Sequence, residues 1–345
     1  MKGSVRPVMT DITTDIAIIG AGPAGLFMVF EAGFLGYSST VIDALPQAGG
    51  QLSALYPDKP IYDIPGYPKI LAGDLVAKLQ GQAAPYKPTY VLGEPVLTLT
   101  GVAGDLTLKT ENHTIQAKAV VIAGGGGMFT PRKPVGLDNL ENFEDAGSVL
   151  YAITHKEALR GHTVVLAGGG DSAVDWAVEL AGIAAHVHVV HRRADFRAAP
   201  ETVRQMMALV DTGKITLHTP AQLKALHGDD GALASLTLAD VDGAETEIVA
   251  SKLICCFGIA PQKGPFAAWG VTEEKGKLPV DPSTMMTNVP GILAIGDIAD
   301  YGHKLHLILQ GFAEAAVAAK TLQALIDPDK KFKVQYSTSK GVPEV

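Results

Sequence analysis

Two short glycine-rich turns, each entered from an apolar strand pattern and left by a helical one, constrain this chain more than any other feature. The first is Gly20-Ala21-Gly22-Pro23-Ala24-Gly25, directly after Ile16-Ala17-Ile18-Ile19. The second is Gly168-Gly169-Gly170-Asp171-Ser172-Ala173, after Thr163-Val164-Val165-Leu166-Ala167. In a GxGxxG/A turn the first glycine permits the tight reversal from strand to helix, and the second lets backbone approach a pyrophosphate. The third small residue lets the helix pack on its strand. The helix N-terminus then offers unpaired N–H groups and partial positive charge to the phosphates. One such turn is a weak signal, because glycine-rich turns are common. Two copies in the same strand and helix context predict two Rossmann-like nucleotide-binding units.

The residue 23 positions after the opening glycine differs between the copies. In the first it is Asp43, at the end of Thr40-Val41-Ile42. A carboxylate there accepts hydrogen bonds from free ribose hydroxyls and repels a 2′-phosphate. In the second it is His191, followed by Arg192 and Arg193, with Arg197 close behind. Guanidinium groups favour the phosphate through charge-assisted bonds. The first unit is therefore expected to hold an adenosine with a free ribose, and the second an adenosine 2′-phosphate.

With 345 residues, 47% of them hydrophobic, and 38 glycines, the chain has room for two α/β domains, each with its own core. A net charge of −8 argues against nucleic acid or an anionic membrane as the main partner. No apolar run reaches the roughly 18 residues of a membrane span. Met1 to Asp15 lacks a signal-peptide core, so a cytoplasmic location is expected. The only cysteines, Cys255 and Cys256, are neighbours inside Leu253-Ile254-Cys255-Cys256-Phe257. On a strand their side chains point to opposite faces, so both read as buried structural thiols.

Strand-like runs alternate with helical patterns, which predicts parallel sheets flanked by helices in three layers. Each unit also carries short β-rich runs that read as a small antiparallel meander: Glu94 to Ala123, ending in another strand from Ala119, and Ala234 to Val249, closing on Lys252 to Gly258. Pro131 and Pro134 suggest a linker. The strand Gly291 to Ile295, ending in Gly296-Asp297, and a long helix from Leu305 to Ile326 return to the first unit. The expected domains are 10–126 with 287–345, enclosing 127–286. His303 and His306 are expected at a helix start with no convergent ligands, so no metal is expected and packing roles are favoured. Ser172 belongs to the second turn, and no GxSxG elbow exists.

Further motifs sharpen this reading. Asp43 to Pro57 (DALPQAGGQLSALYP), Tyr62 to Pro68 (YDIPGYP), Gly168 to Trp176 (GGGDSAVDW), His191 to Ala198 (HRRADFRA) and Gly296-Asp297-Ile298 span almost the whole chain. Together they resemble the ferredoxin/flavodoxin:NADP⁺ reductases of the thioredoxin-reductase-like type. Asp43 and Asp171 stand where glutamate and asparagine are frequent in that family.

The resemblance implies FAD in the discontinuous unit and NADPH in the other. Gly20, Gly22, Pro23, Ala24, Gly25, Asp43, Gln51, Tyr56, Val96, Phe129, Asp297, Tyr336 and Thr338 match FAD positions. Asp297 lies beside the ribityl chain, and Tyr56 and Tyr336 sandwich the flavin ring, Tyr336 coming from the partner subunit of a homodimer. Gly168, Gly170, Asp171, Ser172, Ala173, His191, Arg192, Arg193 and Arg197 match NADPH positions. The implied reaction is hydride transfer from NADPH to FAD, then one-electron steps to ferredoxin or flavodoxin, with no side-chain acid or base needed for the hydride. Thioredoxin reductases carry a CxxC pair where this chain has Tyr151-Ala152-Ile153-Thr154, so thioredoxin is not the expected acceptor. An NADPH oxidase or diaphorase of the same fold, and a non-catalytic flavin and NADPH redox sensor, are the alternatives.

Overall fold

The computed structural model describes residues 9–127, 129–261, 264–330 and 336–343. The chain forms two compact units, Met1–Phe129 with Pro261–Val345, and Thr130–Ala260.

In the discontinuous unit the strand Thr10–Ile19 lies between Ser39–Asp43 and His113–Ile122, parallel to both, with Ile18 opposite Val41 and Val121. Thr89–Leu92 extends one side, and Ile292–Ala294 adds to His113–Ile122 at its C-terminal half. The N-terminal half of His113–Ile122 pairs instead, antiparallel, with Asp105–Lys109, which pairs in turn with Thr98–Val102. The meander and the strand expected after it are therefore one sheet and share one ten-residue strand. Its sequence carries both environments: Ile115 and Ala117 alternate with outward Gln116 and Lys118, then Ala119 to Ile122 are buried without a break. Alternation suits the half-covered antiparallel half, and the apolar run suits the parallel half with both faces covered.

One face of this sheet packs on the helices Pro23–Leu35, Ala72–Ala83 and Ile308–Ile326. Phe27 of the first helix meets Phe312 of the last at 5.0 Å between ring centres. The opposite face buries Phe266, Trp269, Val271 and Leu278 against Ile42, Val96, Leu99 and Ile122. These contacts correct the expected boundary at 287: the chain re-enters the discontinuous unit at Pro261. The last helix also begins at Ile308 rather than Leu305, which leaves His303 and His306 in the segment before it.

The second unit has a five-stranded parallel sheet in the order Val149–Leu150, Lys252–Cys255, Thr163–Ala167, His186–Val190, Ile215–His218. A separate antiparallel sheet, Ala221–Asp229, Ala232–Asp240 and Glu245–Val249, is the second expected meander. Cys255 packs with Leu253 in one core cluster, and Cys256 beside Ile254 in another, as strand alternation requires. Burial pushes both thiols up, Cys256 to about 12, so both remain protonated at neutral pH.

Glu94 fastens the meander of the first unit. Its carboxylate accepts hydrogen bonds from Thr110 Oγ1 at 2.5 Å and from Asn112 Nδ2 at 3.0 Å, and lies 3.1 Å from His113 Nδ1. Burial opposes its ionisation, but these bonds outweigh burial and lower its pKa from 4.5 to about 2. The stabilisation from this group is complete above its unfolded value and is lost as pH falls from about 4.5 through about 2. Urea unfolding between pH 6 and roughly pH 2.5 checks this: Glu94→Gln is expected to be less stable than the parent at pH 6 and to lose less stability on acidification.

Candidate functional site

The three glycines of the first turn have separate tasks. Gly20, at φ +112°, would place a β-carbon 2.3 Å from the Ala123 carbonyl oxygen, and Gly25 would place one 1.9 Å from the carbonyl of Gly20. Gly22 has nothing within 4 Å of that position. It caps the helix Pro23–Leu35, whose first turn has proline where the missing N–H costs nothing. Gly20 and Gly25 therefore close the turn, and Gly22 leaves open space at a helix N-terminus.

That space belongs to a cavity of about 510 Å³, lined by residues of the discontinuous unit alone. Gly20, Gly22, Pro23, Ala24, Asp43, Gln51, Tyr56, Val96 and Asp297 are on its wall, while Gly25 packs beneath it. Asp43 is fixed by the backbone: Oδ2 accepts from Ala21 N at 2.6 Å, and Oδ1 from Leu45 N at 2.8 Å. Each oxygen keeps a further lone pair for a ligand hydroxyl. Burial raises its pKa, opposed by these two bonds.

The Gly296-Asp297 turn follows Ile292–Ala294. A β-carbon on Gly296, at φ +71°, would be 3.1 Å from the Ala24 β-carbon, so turn and first helix approach closely. Burial and then the Asp297 charge raise the Tyr56 phenol's pKa, which places those two side chains in one electrostatic neighbourhood. His306 was expected only to pack. It lines the cavity instead, with Nδ1 3.8 Å from Asp297 Oδ1, because the helix starts after it. Phe266 and Trp269 complete a part of the wall that sequence reading missed. The Trp269 indole N–H is buried with no hydrogen-bond partner among the described residues. Open glycines, a fixed carboxylate and an unpaired donor fit an elongated polar ligand with an aromatic part, as FAD is.

The Phe129 side chain lies outside the described residues. Tyr336 is 69% exposed, ahead of the short helix Ser337–Lys340 that contains Thr338. Neither lines the cavity of its own chain. Lys340 holds this segment, donating to the Phe34 carbonyl and lying 4.8 Å over the Phe34 ring.

In the second turn Gly168, at φ +156°, would place a β-carbon 2.5 Å from the Cys256 carbonyl oxygen, and Gly169 one 2.3 Å from the His191 ring. Gly170 caps the helix Asp171–Leu180, with Ser172 at its exposed start and Ala173 buried. The arginine loop is laced to this turn. Arg197 N donates to Gly169 O at 2.7 Å, and Ala199 N to Asp171 Oδ1 at 2.9 Å. Arg192, Arg193 and Arg197 are exposed. The His191 ring stacks on Phe196 at 5.4 Å, and its Nε2 is buried without a partner among the described residues. Burial lowers the His191 pKa; the charges of Arg193, Arg192 and Arg197 add to this, against a backbone hydrogen bond at Asp195. The charges of all three arginines are felt at the His191 ring. Where a CxxC would stand, Ile153 is in the core and the Tyr151 hydroxyl donates to Glu144.

Two unlike glycine turns, each leading from a parallel strand into a helix on its own α/β unit, are the arrangement of a dinucleotide-dependent oxidoreductase. Residues 14–321 match the family described as pyridine nucleotide-disulphide oxidoreductase. A ferredoxin–NADP reductase of Granulibacter bethesdensis is 51% identical over 99% of this chain and 97% of its own length. That of Acidiphilium cryptum is also 51% identical, over 96% and 98%. Among solved structures, T. acidophilum thioredoxin reductase matches with a TM-score of 0.72 and 24% identity over 92% of this chain and 99% of that one. Lactococcus lactis thioredoxin reductase gives 0.71 and 24% over 91% and 99%. At that identity the likeness is one of fold. The chain belongs to the pyridine nucleotide-disulphide oxidoreductase family, in the branch of its ferredoxin–NADP reductase relatives.

Proposed function

We propose that this protein transfers electrons between NADPH and ferredoxin through FAD. The observation that carries this reading is the contrast between the two turns, a fixed carboxylate at Asp43 in one and three arginines around His191 in the other. FAD, when bound, accepts the hydride and passes electrons on singly, chemistry no side chain supplies. Gly22 and the N-terminus of the first helix receive its pyrophosphate, Asp43 its ribose, and Gln51, Tyr56, Val96, Phe129 and Asp297 its remaining length. Tyr56 would cover one face of the ring. Tyr336 of a second copy in a homodimer would cover the other, with Thr338 beside it, which accounts for an exposed tyrosine that does not line the cavity of its own chain. Gly168, Gly170, Asp171, Ser172 and Ala173 form the turn for NADPH, and His191, Arg192, Arg193 and Arg197 bind its adenosine end. Flavodoxin is a second acceptor of the same kind, and the cytoplasm is the proposed compartment. Among the described residues no helix is long and apolar enough to cross a membrane.

The protein is expected to purify yellow. Asp297→Ala is expected to raise the FAD dissociation constant by about tenfold, the loss of one hydrogen bond from a charged acceptor. Flavin fluorescence released on dilution measures it. A parent protein without a flavin absorbance band after incubation with excess FAD removes this reading.

A further inference from the structure

Helix Ile308–Ile326 carries a buried acid, Glu314. Glu314 pairs with Lys304, and both side chains are only 2% exposed. Withdrawing two charges from water is costly unless their remaining hydrogen-bonding positions are filled, and apolar residues often serve the fold as well. Here those positions are occupied in a particular way. Glu314 Oε2 accepts from the Gly296 backbone N–H at 2.7 Å. Oε1 accepts from the Tyr301 hydroxyl at 2.7 Å and from Lys304. Gln310 Nε2 donates to the Tyr301 oxygen at 2.7 Å, and Lys304 lies 5.1 Å from the centre of the Tyr301 ring.

The carboxylate thus reaches the turn that presents Asp297 to the cavity. On the other side of the same turn, Lys277 Nζ donates to the Asp297 carbonyl oxygen at 2.5 Å. The N–H entering the turn and the C=O within it are each held by a charged side chain. Gly296 is in the left-handed region, so without these restraints the turn has other conformations open to it.

We infer that Glu314 is a positioning residue of the flavin site, fixing the Gly296-Asp297 turn through the Gly296 N–H, with Lys304 and Tyr301 holding its carboxylate in place. This rests on the flavin reading above. The arrangement explains why a buried ion pair stands where an apolar pair would pack.

The test uses holoprotein and two double variants. Lys304→Met with Glu314→Met removes both charges and leaves the Gly296 N–H without an acceptor. Lys304→Met with Glu314→Gln also removes both charges but keeps an amide oxygen for that N–H. Flavin dissociation constants come from fluorescence on dilution, and melting midpoints from circular dichroism. The Met/Met variant is expected to melt somewhat below the parent, by the cost of one unsatisfied buried donor, and to bind FAD about tenfold or more weakly, since the Gly296 turn is no longer held in one conformation. The Gln-containing variant is expected to recover most of that affinity. Parent-like affinity in the Met/Met variant overturns the inference, as does equal weakening in both. If Met/Met does not fold, the Gln-containing variant decides, tight flavin binding supporting the role and a tenfold loss refuting it. A colourless parent sinks the flavin reading itself, whereas a yellow parent with an unaffected Met/Met variant sinks only the role of Glu314.

Discussion

Arg193→Ala, and separately Arg192→Ala, is expected to raise the KM for NADPH roughly 10- to 150-fold, the range for losing a charge-assisted bond of about 1.5–3 kcal/mol. The KM for NADH is expected to change little, because NADH has no 2′-phosphate to lose. Both side chains are exposed, which puts salt in competition with the phosphate and the effect toward the lower end at high ionic strength. The loop itself should survive either change, since its tie to the glycine turn runs through the Arg197 and Ala199 backbone N–H groups. Steady-state kinetics with both nucleotides check this. Parent enzyme that uses NADH and NADPH equally removes the cationic-site argument.

The other large effect concerns the first turn. Gly25→Ala sets a methyl group 1.9 Å from the Gly20 carbonyl oxygen, a backbone atom with no rotamer to escape into. The expected result is a protein that fails to accumulate in folded form or purifies without flavin, at a cost beyond the usual 1–3 kcal/mol of overpacking. Gly22→Ala has open space around the added carbon and an ordinary φ of −71°. Its melting midpoint in the absence of flavin is expected to match the parent's, while flavin affinity falls because the methyl group occupies the pyrophosphate's approach. Thermal melts and flavin titration on the pair separate architecture from ligand space. Equal flavin affinity in Gly22→Ala and parent removes Gly22 from the site.

Much of this was legible in the sequence because turns and strands are written locally. Gly20 and Gly168 sit at strand ends, where a positive φ and a close carbonyl leave no room for a side chain. Counting along a fixed strand–helix–strand path picks out Asp43, which lines the cavity, and His191, which lies against the second turn. Alternation within Ile115 to Lys118, followed by the apolar run to Ile122, even encodes the change of neighbour on one side, from an antiparallel to a parallel partner.

What was missed depends on long-range burial. Phe266-Ala267-Ala268-Trp269 is a single 3-10 turn, too short for a periodic pattern, so the return to the discontinuous unit was placed at 287 instead of 261. Nothing local in the sequence marks Glu314 as buried; its burial depends on Lys304 and the Gly296 N–H, which come from other parts of the chain. His306 reads as part of a helix start until the helix is seen to begin only at Ile308, after an extended Leu307. The tyrosine at 336 could be placed only by resemblance, because its proposed contact lies in another copy of the chain.

In the proposed reaction electrons leave NADPH for ferredoxin and not for a disulfide. Cytochrome c reduction driven by NADPH, with the purified yellow protein and either ferredoxin or thioredoxin added, tests it most directly. The expected rate rises with ferredoxin concentration, is small without it, and is unchanged by thioredoxin, since the two thiols, Cys255 and Cys256, are held protonated in the cores on opposite faces of one strand. Rapid NADPH oxidation by oxygen that ferredoxin does not redirect, or catalytic reduction of thioredoxin, would contradict it.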